Sequence, residues 1–287
     1  MKRRVEILVL SDIHLGSKTC KATELLNYLK SVKPQIIILN GDIIDTAQLK
    51  SLPSTHLRVI NRFMKLMTNG TRIYYLTGNH DASLRRFSDF NSGNLFLRDQ
   101  LVLKLGNKKY WFFHGDVLDN SMIGSQWLSH FFARHFGFLY FFNKLFKGNK
   151  SSKTEKYIQK FEEKAISMAH TEGYDAVVCG HVHQPEIKHS ENIVYLNSGD
   201  WIDNLTALEY SFGEWSIYKY DPLDFDLINP KLHVKDIDID NDELKMVQST
   251  QLMKKQLLKK PNEYVVVKQI DTHDWVHNDA VWDGIEH

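Results

Sequence analysis

Short apolar runs rich in β-branched residues alternate with stretches of helical periodicity over the first two thirds of the chain. The apolar runs predict buried strands at Val5–Leu10, Ile36–Leu39, Ile73–Leu76, Tyr110–Phe113, Ala176–Cys179 and Ile193–Leu196. Apolar residues recur every three or four positions in Thr23–Val32 and His56–Met67, which predicts amphipathic helices there. The alternation of strands and helices predicts an α/β layered domain.

Polar motifs follow five of these predicted strands within a residue or two. In chain order they read SDIH, NGDIID, TGNHD, HGD and GHVH. Ligands in layered α/β folds gather at the carboxyl ends of the strands. We therefore expect the five motifs to converge on one site.

A long predicted helical insertion at residues 122–170 interrupts the alternation. Aromatic and apolar side chains trace one face of its first part at Trp127, Leu128, Phe131, Phe132 and Phe136, and a further helix is predicted over Thr154–Thr171. From Ser121 to Lys156, six Lys or Arg residues face one acidic residue. The following segment FLYFFNKLF is aromatic almost all round and so exceeds one helix face, which favours lipid binding. Ordinary core packing or a dimer interface would give a similar stripe.

The charge balance of the chain gives no support for a nucleic-acid partner. The 36 basic and 35 acidic residues give a formal net charge of +1, so no overall field favours nucleic acid. The segment 221–287, a predicted C-terminal extension of unknown role after a domain at 1–220, carries 14 acidic and 8 basic residues. That balance argues against a nucleic-acid or membrane arm.

Two further features concern the compartment. The widely separated cysteines Cys20 and Cys179 match neither a disulfide framework nor a paired-cysteine zinc site. No apolar run approaches the roughly 20 residues that a membrane span needs, and the first residues lack a secretory pattern. We expect a cytoplasmic protein.

The five motifs supply the ligands that a pair of divalent metal ions needs. Two such ions about 3.5–4 Å apart neutralise charge on a phosphoryl group and lower the pKa of a bound water. Asp12 and His14 follow one strand, Asp42 offers a bridging carboxylate, and Asn79 adds an amide oxygen. The imidazoles come from His114, His181 and His183. Imidazole with carboxylate favours Mn, Fe, Zn or Co over calcium.

The patterns D-x-H, G-D-x-x-D, G-N-H-D, H-G-D and G-H-x-H resemble those of the calcineurin-like metallophosphoesterases, over residues 5–220. The resemblance implies a β-sandwich flanked by helices. It also implies that one metal is held by Asp12, His14, Asp42 and His183, and the other by Asn79, His114 and His181 with Asp42 shared. A hydroxide between the two metals would attack phosphorus.

The same resemblance implies a candidate catalytic pair, His80 and Asp45. His80 would lie close to the phosphate without binding metal, and Asp45 would orient it, so that the pair stabilises the transition state or protonates the leaving oxygen. A loop-bracing role is the alternative for His80. Asp81 and Asp116 are predicted to support ligands or turns.

The order of motifs and the helical insertion resemble the UDP-2,3-diacylglucosamine pyrophosphohydrolases of lipid A synthesis, in which the insertion is a lid that holds acyl chains. That resemblance implies cleavage to UMP and 2,3-diacylglucosamine 1-phosphate, with Mn²⁺ as the favoured metal. It implies a nucleotide-linked lipid as the partner and peripheral contact with the cytoplasmic face of the inner membrane, which the basic insertion would favour. Candidate substrate contacts are Asn79, Trp127, Phe131, Ser152 and Lys153.

The chain departs from those lipid A enzymes at two positions. His80 stands where they carry Arg, and Asp45 stands where they carry Glu. Both residues match the pattern of the wider superfamily and leave the metal ligands intact. Hydrolysis of another phosphodiester or of a phosphomonoester is therefore the alternative function. A non-catalytic scaffold would be expected to have lost ligands, and a nuclease to carry a basic track with interleaved aromatics.

Overall fold

The computed structural model describes residues 2–45, 52–122 and 152–226. Its strands, in chain order, are β1 (Arg3–Leu10), β2 (Val32–Asn40), β3 (Arg72–Leu76), β4 (Asn91–Ser92), β5 (Leu95–Arg98), β6 (Gln100–Leu105), β7 (Lys108–Phe113), β8 (Ala176–Cys179), β9 (Glu186–Ser190), β10 (Ile193–Asn197), β11 (Thr206–Ser211) and β12 (Glu214–Lys219). Its α-helices are α1 (Ala22–Ser31), α2 (Ser54–Thr68), α3 (Val117–Met122), α4 (Ser152–Thr171) and α5 (Leu223–Asp226), and a 3-10 helix spans Ala82–Phe87.

The strands form two sheets with parallel centres and antiparallel edges. The first sheet has the order β12-β11-β1-β2-β3-β5-β4, and the second has the order β6-β7-β8-β10-β9. β1, β2, β3 and β5 run parallel to one another, as do β7, β8 and β10. The motif-bearing strands of each sheet therefore end on the same side.

Three apolar clusters hold four layers together. Between the sheets, Val9 and Ile38 of the first sheet share a cluster with Phe112 and Val178 of the second. The outer face of the first sheet packs against α1 and α2, and that of the second packs against α4, where Phe161 is fully buried. Apolar side chains alternate between the two faces of each strand, so both faces of each sheet are covered.

The predicted α/β sandwich flanked by helices is confirmed. All six predicted strands and the three predicted helices are present, with boundaries that differ by up to four residues. At one boundary the type of element differs, because α1 ends at Ser31 and Val32 begins β2. The pattern predicted none of the more polar strands β4, β5, β6, β9, β11 and β12. The structure does not describe residues 123–151, which carry the predicted aromatic stripe of the insertion, or residues 227–287. None of the helices described is long and apolar enough to cross a membrane.

Candidate metal centre

The five motifs meet at the end of the sandwich where the parallel strands finish. β1 leads into Asp12 and His14, β2 into Asp42, and β3 into Asn79, all in the first sheet. β7 leads into His114 and β8 into the pair His181 and His183, in the second sheet. The structure brings together the side chains of Asp12, His14, Asp42, His114 and His183. It places the ring of His181 beside that of His114 and leaves Asn79 exposed.

Five of these residues have a left-handed backbone. The φ angles are +52° at Asp12, +53° at His14, +54° at Asp42, +64° at His181 and +52° at His183. This conformation costs a residue with a Cβ about 1–2 kcal/mol. Hydrogen bonds between the motifs hold it in place, since Asp12 N–H donates to Gly41 O (3.1 Å) and His14 N–H donates to Asp42 O (3.0 Å). Strain of this kind is concentrated at functional sites.

Asp12 and Asp42 are buried carboxylates surrounded by imidazoles. Oδ1 of Asp12 lies 3.0 Å from Nε2 of His183. Oδ2 of Asp42 lies 3.4 Å from Nε2 of His114 and 3.9 Å from Nε2 of His14. The other oxygen of each carboxylate accepts a backbone N–H, from His181 for Asp12 (3.0 Å) and from His80 for Asp42 (2.8 Å). Each acid is thus fixed in orientation by one oxygen and presents the other to the histidines.

The hydrogen bond of His114 decides which of its ring nitrogens can bind a metal ion. Its Nδ1 lies 3.0 Å from the carbonyl oxygen of Asn40, which can only accept, so Nδ1 carries the proton. In the neutral ring Nε2 is then the lone-pair nitrogen, and it faces Asp42. His14 is 2% exposed, and neither of its ring nitrogens has a hydrogen-bond partner within the described residues. A buried imidazole without hydrogen bonds is costly, and a metal ion would satisfy it.

Burial and the short distances between carboxylates and imidazoles shift the pKa values of the site. Burial opposes the ionisation of Asp12, yet the His183 and His114 imidazoles outweigh it and lower the pKa of Asp12 to about 2. Burial lowers the pKa of His14 to about 4. For His183, burial is outweighed by Asp12, which raises the pKa to about 9. A divalent cation would take over the compensating charge that protonated His183 supplies to Asp12.

The arrangement fits divalent metal ions. One group, Asp12, His14 and His183, and a second, Asp12, Asp42 and His114, each offer ligand atoms within 4.8 Å of one another. His80 lies in a third such group with His14 and Asp42. Mixed carboxylate and imidazole ligands are the set that Mn, Fe, Zn and Co prefer. Which residue holds which metal, including the sharing of Asp42, remains a prediction.

The candidate catalytic pair lies beside these groups. The half-buried ring of His80 packs edge-on against His14, with ring centroids 4.6 Å apart. Asp45 is buried, and its backbone N–H donates to Leu15 O (2.9 Å). His80 therefore borders the metal centre, Asp45 lies three residues after Asp42 in the chain, and the roles of both residues remain predictions.

Asp81 is a brace between two motifs, in line with its predicted supporting role. It is fully buried, and its Oδ1 accepts the N–H of Gly78 (2.6 Å). Its Oδ2 accepts the N–H of Ile43 (3.0 Å) and the hydroxyl of Tyr75 (2.6 Å). A single carboxylate thereby joins the segment after β3 to the segment after β2.

Asp116 joins two further motifs. Its Oδ2 pairs with the guanidinium of Arg85, whose Nε also donates to Thr77 Oγ1 (3.3 Å). The HGD segment is thus tied to the TGNHD segment, as the predicted supporting role of Asp116 requires.

The segment Asn197–Asn204 is a support that sequence reasoning missed. Asn197 Nδ2 donates to Gly180 O (2.7 Å), and Asn204 Nδ2 donates to His183 O (2.7 Å). Fully buried Asp200 accepts the backbone N–H groups of Ile202, Asp203 and Asn204. A signal was present, because the polar run NSGD follows a predicted strand just as the other motifs do.

The candidate substrate contacts are only partly within the described residues. Trp127 and Phe131 lie outside them. Ser152 and Lys153 form the start of α4, which places their backbone next to the insertion. Asn79 is exposed and directly precedes His80.

The fold and the site together define a metal-dependent phosphoesterase. The sequence model of the calcineurin-like phosphoesterase family matches residues 5–185, and the chain belongs to this family. The family implies divalent metal ions, and the acid and histidine groups described above fit them.

Several proteins with sequences similar to this chain share the name UDP-2,3-diacylglucosamine hydrolase. A UDP-2,3-diacylglucosamine hydrolase of Aliivibrio fischeri (strain MJ11) is 24% identical over 238 residues, covering 74% of this chain and 98% of the relative. The protein of the same name from Neisseria meningitidis serogroup B is 24% identical over 233 residues, covering 73% and 95%. The solved structure of an archaeal phosphodiesterase matches at 16% identity with a TM-score of 0.43, covering 74% of this chain and 98% of that chain.

Proposed function

We propose that this protein hydrolyses the pyrophosphate bond of UDP-2,3-diacylglucosamine. Water adds across the bond, and the products are UMP and 2,3-diacylglucosamine 1-phosphate. The observation that carries the phosphoesterase chemistry is the position of Asp42, whose Oδ2 faces both His14 and His114 from a fixed carboxylate. The name shared by relatives along almost their whole length supports this substrate.

Each proposed ligand set draws on residues that follow strands of both sheets. Asp12, His14, Asp42 and His183 would hold one ion, and Asn79, His114 and His181 would hold the other with Asp42 shared. Two bound divalent ions, most favourably Mn²⁺, supply charge neutralisation and an activated water. The chain's own contribution is the rigid spacing of these side chains, which the left-handed backbone and the braces fix.

His80 would act on the leaving group. Its backbone N–H donates to Asp42 Oδ1, and its ring is half-buried. An imidazole at that position can donate a hydrogen bond or a proton to the oxygen that leaves phosphorus. Asp45 would orient the His80 ring.

Recognition of the lipid would fall to the insertion at 122–170. In this proposal Trp127 and Phe131 contact the acyl chains, and Ser152 and Lys153 contact the polar head group with Asn79. The six basic residues between Ser121 and Lys156 would add about 1 kcal/mol each at an anionic leaflet. We therefore place the protein in the cytoplasm, in peripheral contact with the inner membrane.

A second candidate is the hydrolysis of another phosphodiester. The observation that favours it is the pair His80 and Asp45, which stand where the lipid A enzymes carry Arg and Glu. Every proposed metal ligand would serve equally well in that reaction.

The test is hydrolysis of UDP-2,3-diacylglucosamine in detergent by metal-stripped protein reloaded with Mn²⁺, with UMP release as the readout. The proposal expects release that depends on manganese and is lost in Asp42→Ala. Turnover of bis(p-nitrophenyl) phosphate without UMP release would retain the phosphoesterase and reject this substrate. A double variant, Trp127→Ser with Phe131→Ser, should weaken lipid turnover and spare the aryl ester, whereas equal loss on both would point to a role in folding.

A further inference from the structure

His181 is held by a carboxylate from a neighbouring helix. Its Nε2 lies 2.8 Å from Oδ2 of Asp119, which belongs to α3. The other oxygen of Asp119 accepts the hydroxyl of Tyr157, from α4, at 2.5 Å. The side chain of His181 is 1% exposed and that of Asp119 is 18% exposed, so water screens this contact little.

This contact fixes the tautomer of a neutral His181. An ionised carboxylate can only accept hydrogen bonds, so Nε2 must carry the proton and Nδ1 is left as the lone-pair nitrogen. A neutral His114 makes the opposite choice, with its proton on Nδ1, which contacts Asn40 O, and its lone pair on Nε2. The two imidazoles assigned to the second metal would thus bind through different nitrogens.

The contact also joins the metal centre to the helices on both sides of residues 123–151. α3 ends at Met122 and α4 begins at Ser152. α4 packs directly on the site, because a Cβ added to Gly115 would lie 2.6 Å from Cζ of Phe161. The ring of Phe161 lies 6.0 Å from that of His181.

We propose that Asp119 is a positioning residue for the second metal, which presents Nδ1 of His181 to the ion, and that Tyr157 holds Asp119 in place. Docking of α4 on α3 is then coupled to metal binding. The proposal rests on the proposed role of His181 as a ligand. It depends on neither the identity of the substrate nor turnover.

The first test is calorimetric titration of Mn²⁺ into the metal-free full-length protein. Carboxylates that orient a metal-bound histidine typically contribute about 10–100-fold in metal affinity. We expect Asp119→Ala to weaken one of the two sites by about that factor and to leave the other unchanged. Asp119→Asn keeps an oxygen that accepts from Nε2 and should restore most of the affinity. Tyr157→Phe should weaken the same site by less than about tenfold.

Glu162→Gln is the matched control. Glu162 is a buried carboxylate on α4 that pairs with Lys188 and makes no described contact with the metal centre. We expect the Glu162→Gln variant to bind both ions as the parent protein does, even if the substitution lowers the melting temperature. A loss of affinity equal to that of Asp119→Ala would attribute the effect to helix packing and overturn the proposal.

The second test reads the tautomer directly. In zinc-loaded protein labelled with ¹⁵N-histidine, the resonance lost in His181→Ala identifies the ring. We expect that ring to carry its proton on Nε2, and to lose this signature in Asp119→Ala. A proton on Nδ1, or two sites of parent affinity in a folded Asp119→Ala, would overturn the proposal. If His181→Ala itself binds two ions normally, the ligand assignment fails instead.

Discussion

A Cβ added at Gly78 would lie 2.2 Å from Oδ1 of Asp42 and 2.6 Å from the Asp42 backbone nitrogen. Both distances are far below van der Waals contact, and the nearest backbone atoms cannot rotate away. The segment after β3 therefore lies so close to the segment after β2 that there is no room for a side chain at Gly78. The same approach lets Asp42 Oδ1 accept the N–H of His80.

Gly78→Ala should abolish high-affinity metal binding. The added methyl group would displace the Asp42 carboxylate, and His114 Cδ2 lies only 2.8 Å away on another side. Inductively coupled plasma mass spectrometry after dialysis against Mn²⁺ would measure the loss. Gly106→Ala is the control, because Gly106 has a positive φ and nothing within 4 Å of the added atom. It should cost about 1–2 kcal/mol of stability and retain both ions. Full metal content in Gly78→Ala would contradict this prediction.

Asp81→Ala should destabilise the protein by about 2–4 kcal/mol, since the buried N–H groups of Gly78 and Ile43 and the hydroxyl of Tyr75 lose their acceptor. Tyr75→Phe removes only one of these bonds and should cost about 1 kcal/mol. Urea unfolding measures both free energies. Glu214→Ala, at an exposed acid, should change the free energy of unfolding by less than about 0.5 kcal/mol. An Asp81 effect as small as that of Glu214 would show that Asp81 is not a brace.

The central strands and their motifs could be predicted because burial on both faces leaves nearly continuous apolar runs, as in Val5–Leu10. The edge strands could not be found that way. β12 has four exposed and two partly buried residues, and it pairs with β11 along its whole length. The sequence did contain a turn signal, the glycine at position 213. Phe212 and Gly213 connect β11 to β12, and Gly213 has a φ of +83°.

The candidate ligands could be recognised by residue type and by their place after a strand. Their supports could not. Asp119 follows HGD by three residues and contacts His181 only because α3 and the segment after β8 meet in space. Such a contact depends on the packing of elements far apart in sequence. Asp119, Asp200 and Asn204 are thus visible only in the folded chain.

His80→Ala should lower kcat on the phosphoester substrate by roughly 10²–10⁴-fold while the protein still binds two metal ions. The reason is that His80 would act on the leaving oxygen, with no role as a ligand. Turnover and metal content would be measured on the same preparation. His189→Ala, at an exposed histidine, should change neither quantity. If His80→Ala loses one ion, the ring would be a ligand, as its grouping with His14 and Asp42 would also allow.

The metal-free protein should lose stability as the pH rises from about 6.5 to about 9. The pKa of His183 is raised from its ordinary 6.5 to about 9, with burial outweighed by Asp12. A group whose pKa is higher in the folded state stabilises that state fully below its unfolded pKa and loses this contribution through its folded pKa. His114 acts in the same direction, because Asp42 and Asp12 outweigh burial and raise its pKa well above 6.5.

Melting temperatures of EDTA-treated protein across this pH range would measure the effect, and His183→Gln should flatten the fall. His170→Gln, at an exposed histidine on α4, should leave the curve unchanged. Bound Mn²⁺ should reverse the trend, because the ion needs deprotonated imidazoles and its affinity rises with pH. A melting temperature that stays level or rises over this range without metal would show that the Asp12–His183 pair is not charged in the metal-free protein.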